Sequence, residues 1–265
     1  VEQARRAFQG QLEERDEDAK ALNQLISVGT SAGGARAKAV LGWNPRTDEM
    51  VAGQFDLPDG FEHWLLKFDG MGHDQQLGPS QHYGRIEYAY HRMAVRAGID
   101  MQPCRLHHEG GRAHFMTRRF DREGPRKHHV QSLCALRHMS YNFTRTHAYE
   151  SLFLTARALG LGDAELTQLF ARMAFNVAAR NQDDHTRNFA FLLREGGSWE
   201  LAPAYDVTFA MDPGNKWLSA HQMSVAGKFE GFGRSELLQV ADRFSIAGTG
   251  NACAQITAAL AAWPE

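Results

Sequence analysis

Strand-like and helix-like patterns occupy different parts of the chain. Residues 26–125 hold short segments with the alternation of β-strands, separated by turn residues. Residues 126–265 hold longer segments with the apolar spacing of amphipathic helices. This separation predicts an α+β fold of two lobes, a β-rich N-lobe and a mostly helical C-lobe. Residues 1–25 are dense in charge, and we interpret them as a separate arm or helix.

In the N-lobe, the segment FEHWLLKF predicts a strand that carries one charged side chain at its end. Lys67 lies on the face opposite to three large apolar side chains, those of Trp64, Leu66 and Phe68. Residues 84–97 then predict a helix that ends at Gly98, and HFMTRRF predicts a further strand.

In the C-lobe, the periodicity predicts four helices, at residues 145–159, 163–180, 234–243 and 251–263. Asp163 is the expected N-cap of the second helix, because its carboxylate can accept the amide protons of the first turn. NFAFLL and SWELAP, joined by a Gly196-Gly197 turn, predict a β-hairpin between the helices.

Composition excludes several classes of protein. The 29 basic and 31 acidic side chains give a formal charge of −2, which excludes a net basic field for nucleic acid. The three cysteines are far apart, which excludes a disulfide scaffold and a CxxC site and fits a reducing cytoplasm. No apolar run approaches the roughly 18 residues of a membrane span, so no membrane contact is expected.

The strongest local signal is the segment NQDDHTRNFAFLL at residues 181–193. Asp183 lies five residues before Asn188. The phosphoryl-transfer template has the same spacing between the aspartate that orients the attacking hydroxyl and the asparagine that binds Mg²⁺. Asp206 follows the hairpin and is placed to supply a hard oxygen ligand for the same metal. The residues leave open whether Asp183 or Asp184 is the working carboxylate, and the spacing to Asn188 favours Asp183.

Three features upstream fit the same template. Lys67 is placed to neutralise nucleotide phosphates, and Glu87 on the next helix is placed to pair with it. A loop of small residues allows backbone amides to approach phosphate oxygens, although it is not a Walker A sequence. This loop comprises Gly29, Thr30, Ser31, Ala32, Gly33 and Gly34.

Each of these features also has a common structural interpretation. A DD pair usually forms a turn or a helix cap, a lysine in a short strand is usually solvated, and Glu87 can pair with Arg92 or His91 instead. The parts follow one another along the chain as the loop of small residues, the strand lysine, the helix glutamate, the Asp/Asn loop, the hairpin and the final aspartate. This order favours the kinase interpretation, because it is the order of the parts in the phosphoryl-transfer template.

The segments GTSAGGARAKAVL, WLLKF, IEYAYHRMA, RRFDR, NQDDHTRNFAFLL and LAPAYDVTFA together resemble the HipA-like serine/threonine kinases. These are the toxin components of bacterial type II toxin–antitoxin modules. The resemblance implies a two-lobed, kinase-like fold that uses ATP and Mg²⁺. It implies that Asp183 is the catalytic aspartate, that Asn188 and Asp206 are Mg²⁺ ligands, and that Lys67 binds the nucleotide phosphates.

The resemblance also carries expectations about regulation and partners. Ser31 occupies the family's autophosphorylation position, where phosphorylation is associated with an ejected loop and loss of ATP binding. The family's substrates are aminoacyl-tRNA synthetases, and its usual partner is a helix-turn-helix antitoxin, so DNA contact is expected only through that antitoxin. The expected location is the bacterial cytoplasm. Members usually carry a further small N-terminal subdomain, which we expect to be a separate chain or to have been removed.

Two other functions compete with the protein-kinase interpretation. One is a nucleotide-binding regulatory scaffold without turnover in an antitoxin–DNA complex. The other is a kinase of small molecules or lipids on the same fold.

Residues 105–129 carry seven basic and three acidic side chains and five histidines. We interpret this segment as the solvated edge of a sheet, with a nucleic-acid contact as the alternative.

Overall fold

The structure, a computed structural model, describes residues 38–69, 82–109 and 111–262. The predicted arm at 1–25 and the loop at 29–34, with Ser31, lie outside the described residues. The strands are β1 (Lys38–Trp43), β2 (Met50–Ala52), β3 (Glu62–Lys67), β4 (Cys104–Glu109), β5 (Arg112–Arg118), β6 (Arg122–Glu123), β7 (Arg126–Lys127), β8 (His129–Ser132), β9 (His147–Ala148), β10 (Ala190–Leu193), β11 (Trp199–Leu201) and β12 (Met223–Ser224). The helices are α1 (Tyr83–Arg96), α2 (Leu133–Leu136), α3 (Tyr149–Ala158), α4 (Asp163–Ala178), α5 (Arg234–Arg243) and α6 (Thr249–Ala261).

The chain divides into two compact units, each built from two separate stretches. The first unit takes the described residues up to Tyr88 together with Gln102–Lys127. The second takes Ala89–Met101 and the residues from His128 onward. Most of the described strand residues belong to the first unit and most of the helical residues to the second, which confirms the predicted α+β fold.

The first unit is organised around a five-stranded antiparallel sheet. The strand order is β2-β1-β3-β5-β4, so β3 is central. One apolar cluster in this unit contains Ala39, Leu41, Trp64, Leu66, Phe68 and Met116. Trp64, Leu66 and Phe68 therefore pack together, as the alternation of β3 predicts, and Lys67 lies outside their cluster.

The sequence pattern does not reveal β4, because polar residues, including His107 and His108, interrupt the alternation that marks a strand. β4 lies at the edge of the sheet and pairs with β5 alone. This position confirms the interpretation of the start of the 105–129 segment as a sheet edge.

The second unit packs its helices around a core of large side chains. Tyr149, Phe153, Phe170 and Phe175 are all fully buried. The predicted hairpin is present as β10 and β11, and β8 adds a third strand to it. None of the helices in the described ranges is both long and apolar enough to cross a membrane.

One predicted helix start and one predicted N-cap in the second unit are wrong. α3 begins at Tyr149 rather than 145, because His147 and Ala148 pair in parallel with Met223 and Ser224 of β12. The N-cap of α4 is Gly162, and Asp163 is the first helical residue. The cap interaction comes from Glu165, whose carboxylate accepts the Gly162 amide at 3.0 Å.

Candidate active site

The first unit holds a buried ion pair between its sheet and α1. Lys67 is the last residue of β3, and its Nζ lies 2.5 Å from Oε1 of Glu87. Lys67 is 8% exposed and Glu87 is 2% exposed. Lys67 Nζ also lies 5.8 Å from the centre of the Phe115 ring. The structure therefore contains the predicted pairing of Glu87 with Lys67.

The chain on either side of this pair is fixed by close contacts. Beyond Lys67, the backbone amide of Asp69 donates to Nδ1 of the buried His114 at 2.9 Å. One turn before Glu87, Gly84 lies against β5 so closely that a Cβ there would be 2.2 Å from the Ala113 carbonyl oxygen. His114 therefore anchors the end of β3, and Gly84 sets the distance of α1 from the sheet.

The second unit holds the Asp183–Asn188 loop. α4 ends at Ala178, and the chain then turns through Arg180, whose φ of +57° is left-handed. A single 3₁₀ turn follows at Thr186–Asn188, and β10 begins directly after it. The Asn188 Nδ2 donates to the Asp183 carbonyl at 2.7 Å. The loop therefore folds back so that the asparagine lies beside the backbone of the aspartate five residues earlier.

The two aspartates of this loop lie in opposite environments. The side chain of Asp183 is 45% exposed, whereas that of Asp184 is fully buried. The Asp184 carboxylate accepts three hydrogen bonds, from Tyr149 Oη at 2.7 Å, His221 Nδ1 at 2.8 Å and the backbone amide of Gln222 at 2.7 Å. Asp184 is thus fully engaged inside the protein, and Asp183 is the member of the pair that can meet a substrate.

The bonds to Asp184 extend into a buried polar network. Tyr149 Oη accepts from Asn176 Nδ2 at 3.1 Å, and Asn176 Oδ1 accepts from Asn181 Nδ2 at 2.9 Å. Burial, reinforced by the charge of Asp184, raises the pKa of Tyr149 well above its ordinary value, so its proton stays in place. The network joins α3, α4 and the loop, which restricts the position of the backbone that carries Asp183.

Asp206 lies in the same unit, just after β11. Its φ of +59° is left-handed, a conformation that aspartate tolerates better than most residues. The neighbouring Tyr205 Oη donates to the carbonyl of Arg187 at 2.6 Å, which ties this segment to the loop. Burial, reinforced by the charge of Asp206, raises the pKa of Tyr205. The backbone around Asp206 is therefore held against the residue that precedes Asn188.

Asn188 and Asp206 both line one small cavity of about 20 Å³. An amide oxygen and a carboxylate are hard donors of the kind that Mg²⁺ prefers. No cluster of three or more His, Cys, Asp or Glu side chains suited to a metal occurs among the described residues. Mg²⁺ commonly uses one or two protein ligands and completes its shell with substrate phosphates and water, so these two residues fit a nucleotide-bound Mg²⁺.

His185 lies beside Asp183 and the Tyr141 ring. Its Nε2 lies 3.8 Å from Oδ1 of Asp183, and its ring lies 6.1 Å from that of Tyr141. The Arg187 guanidinium stacks on the same Tyr141 ring, with its Cζ 4.5 Å from the ring centre.

The structure brings the sequence-predicted residues together in two groups. Lys67 and Glu87 form a pair in the first unit, and Asp183, Asn188 and Asp206 lie on adjoining segments of the second. The sequence does not reveal the partners of Asp184. The signal that could have indicated the surrounding network is Asn176, a polar residue on the mostly apolar buried face of α4, which donates to Tyr149.

Comparison with solved structures identifies the fold. HipA of Shewanella oneidensis MR-1, solved with HipB and operator DNA of that toxin–antitoxin system, matches with a TM-score of 0.65 and 18% identity. The match covers 88% of this chain and 56% of the Shewanella chain, so the chain spans little more than half the length of that protein. The proinflammatory kinase CtkA of Helicobacter pylori matches with a TM-score of 0.50 and 13% identity, over 87% of this chain and 81% of that one. These likenesses show a kinase-like fold.

The comparison with curated protein sequences found no match. The family model of the HipA-like C-terminal domain, however, matches residues 30–263. That span includes both units and every candidate site residue except Gly29. The chain therefore belongs to the family of HipA-like C-terminal domains.

Proposed function

We propose that the chain is an ATP- and Mg²⁺-dependent kinase that phosphorylates a serine or threonine hydroxyl of a protein. Family membership and the kinase-like fold support this function at the level of a HipA-type protein. The half-exposed side chain of Asp183 and the buried Lys67–Glu87 pair support turnover rather than a scaffold role.

The observation that carries the proposal is the burial of Lys67 and Glu87. Burying an ion pair costs desolvation that its attraction rarely exceeds, so such a pair is a poor device for stability alone. In the phosphoryl-transfer template the same pairing, of a strand lysine with a helix glutamate, must form before the lysine can hold the nucleotide phosphates. A function for the pair explains why it is present at a costly position.

Each proposed residue has a distinct role. Asp183 accepts a hydrogen bond from the acceptor hydroxyl and orients its oxygen toward the γ-phosphorus. The bond between the acceptor oxygen and the γ-phosphorus forms as the bond between the γ-phosphorus and the oxygen that stays on ADP breaks. The hydroxyl proton passes to the Asp183 carboxylate. Lys67 neutralises charge on the phosphates, and Asn188 and Asp206 would hold the metal. Bound Mg²⁺ would supply charge neutralisation on the phosphate oxygens.

Family resemblance suggests the acceptor and the partner. We propose a protein acceptor such as an aminoacyl-tRNA synthetase, a helix-turn-helix antitoxin as partner, and DNA contact only through that antitoxin, in the bacterial cytoplasm. Ser31, in the loop at 29–34, is the proposed site of autophosphorylation. A phosphate there adds a charge of about −1.5 to −2 beside the proposed ATP site, which would repel the nucleotide.

The test is peptide mapping by mass spectrometry after incubation with Mg·ATP. The parent and Asp242→Asn, a control at an exposed position on α5, should gain phosphate on Ser31, and Asp183→Asn should not. ATP binding by calorimetry should survive in Asp183→Asn, because that residue contacts the acceptor rather than the nucleotide. ATP binding without phosphate gain on the chain or on an added synthetase would contradict the proposal and favour the regulatory scaffold. Transfer to a lipid or small molecule, but to no protein, would contradict the assignment of the acceptor.

A further inference from the structure

A second cavity, distinct from the candidate active site, lies in the second unit between α3, α5 and the turn after β12. Its volume is about 480 Å³, within the range of small-molecule pockets. Its apolar wall is made by Ala148, Ala226 and Val240. Glu150 in the first turn of α3 and Arg243 at the end of α5 line the same cavity.

The two charged residues of this cavity do not satisfy each other. Oε2 of Glu150 is buried and accepts no hydrogen bond from the described residues. The Arg243 guanidinium lies 5.8 Å from the Phe244 ring and forms no ion pair with the described carboxylates, including that of Glu150. A buried carboxylate oxygen without a donor is costly, so a ligand that donates to it is favoured over an empty site.

The cavity therefore presents a negative group, a positive group and an apolar wall. A ligand that matches all three carries an ammonium group, a carboxylate and an aliphatic body. We propose that this cavity binds a small zwitterion of the α-amino acid class, free or as a short peptide. The ammonium group donates to Glu150, the carboxylate accepts from Arg243, and the aliphatic side chain packs on Val240 and Ala226.

The walls of the cavity are continuous with the groups that hold Asp184. Glu150 directly follows Tyr149, and Ser224, another lining residue, is two residues after Gln222. Tyr149 and the Gln222 amide both donate to Asp184. A ligand in the cavity would therefore stabilise the segment that presents the Gln222 amide, and hydrogen exchange at that amide reports occupancy without any assay of catalysis.

The test is calorimetric titration of the chain with leucine and with glycylleucine, which separate a free amino acid from a peptide. The matched probes are 3-methylbutylamine and 4-methylpentanoate, which each keep the leucine body and only one of its charges. We expect at least one zwitterion to bind, and both single-charge probes to bind about tenfold more weakly or worse, as expected for one lost charge-assisted hydrogen bond. We also expect the bound zwitterion to slow exchange of the Gln222 amide.

Four variants locate the binding. Glu150→Gln and Arg243→Gln should each weaken it about tenfold, because each removes one charge from the cavity. Glu195→Gln in an exposed turn and Arg234→Gln at the exposed start of α5 are the matched controls and should leave it unchanged. No binding of either zwitterion, equal binding of a single-charge probe, or undiminished binding in both cavity variants would overturn the proposal. None of these results depends on whether the chain is a kinase.

Discussion

Two adjacent aspartates show how strongly the environment of a single residue decides its role. Asp183 and Asp184 have the same side chain, yet one is 45% exposed and the other is enclosed by three donors. The spacing to Asn188 favours Asp183 as the working carboxylate, and burial gives an independent physical reason for the same choice. The reason lies in Tyr149, His221 and Gln222, which are distant in sequence and could not be paired with Asp184 by pattern.

Substitution of the two aspartates should therefore have opposite effects. Asp183→Asn should lower the rate of phosphoryl transfer by at least about a hundredfold, the lower end of the rate acceleration that a general base usually supplies. The urea midpoint should be unchanged. Asp184→Asn should lower the free energy of unfolding by about 2 kcal/mol, because three donors lose a charged acceptor. Urea titration and a kinase assay on both variants check this. A stable, inactive Asp184→Asn beside an active Asp183→Asn would reverse the assignment.

The Lys67–Glu87 pair allows function to be separated from stability. Lys67→Met removes the lysine of this buried ion pair while Glu87 stays charged, and we expect a loss of about 3–5 kcal/mol in the free energy of unfolding. The double variant Lys67→Met/Glu87→Met removes both charges and should recover most of that stability. It should still fail to bind ATP, as measured by calorimetry, because the lysine that we propose to hold the phosphates is gone. Recovered stability together with recovered ATP binding would show that the pair is structural.

At the scale of elements, the site depends on how closely α1 approaches the sheet. Gly84 allows this approach, since a Cβ at this position would collide with the Ala113 carbonyl. Helical periodicity predicts α1 well, and Gly98 ends it with a φ of +80° as expected. The close approach itself depends on β5, and no local pattern in residues 84–97 indicates it.

Gly84→Ala should therefore shift the start of α1 and draw Glu87 away from Lys67. We expect a loss of about 1–3 kcal/mol in the free energy of unfolding, typical of overpacking, together with weaker ATP binding. Gly250→Ala is the matched control, because Gly250 is also helical and a Cβ there meets nothing within 4 Å. That control should be neutral or stabilising by up to about 1 kcal/mol. Equal urea midpoints for the two variants would contradict the role of Gly84.

Prediction from sequence succeeds where the signal is local and periodic. The face of β3, the hairpin of β10 and β11, and the bounds of α5 at 234–243 all follow from side-chain spacing. It fails where a distant segment decides the outcome. The start of α3 moves to Tyr149 because residues 147–148 pair with a strand 76 positions later, and β4 is a strand because β5 pairs with it.

At the scale of the whole molecule, several tyrosines are buried with their protons retained. Burial raises the pKa of Tyr90 to about 12, and it also raises that of Tyr149 and Tyr205. A folded pKa above the unfolded value of about 10 means that the folded state binds the proton more tightly. Their contribution to stability is therefore complete below about pH 10 and is lost as the pH rises through the folded values.

The chain should accordingly unfold at lower urea concentration at about pH 11 than at about pH 9. Tyr90→Phe removes one of these titrating hydroxyl groups, together with its hydrogen bond to the Ala179 carbonyl. This variant should be less stable at about pH 9, and its urea midpoint should fall less between the two values. An equal fall in the parent and in Tyr90→Phe would show that Tyr90 titrates alike in both states.

The division of the chain into units has a consequence for its synthesis. Each unit combines two separate stretches, with crossings after Tyr88, Met101 and Lys127. During translation the first unit cannot be completed until Lys127 has left the ribosome, although its first described strand lies far upstream. Residues 89–101 are synthesised before that point, but they can pack in the second unit only after the residues from His128 onward have been synthesised. The usual order, in which an N-terminal domain folds to completion before the next one emerges, is therefore not open to this protein.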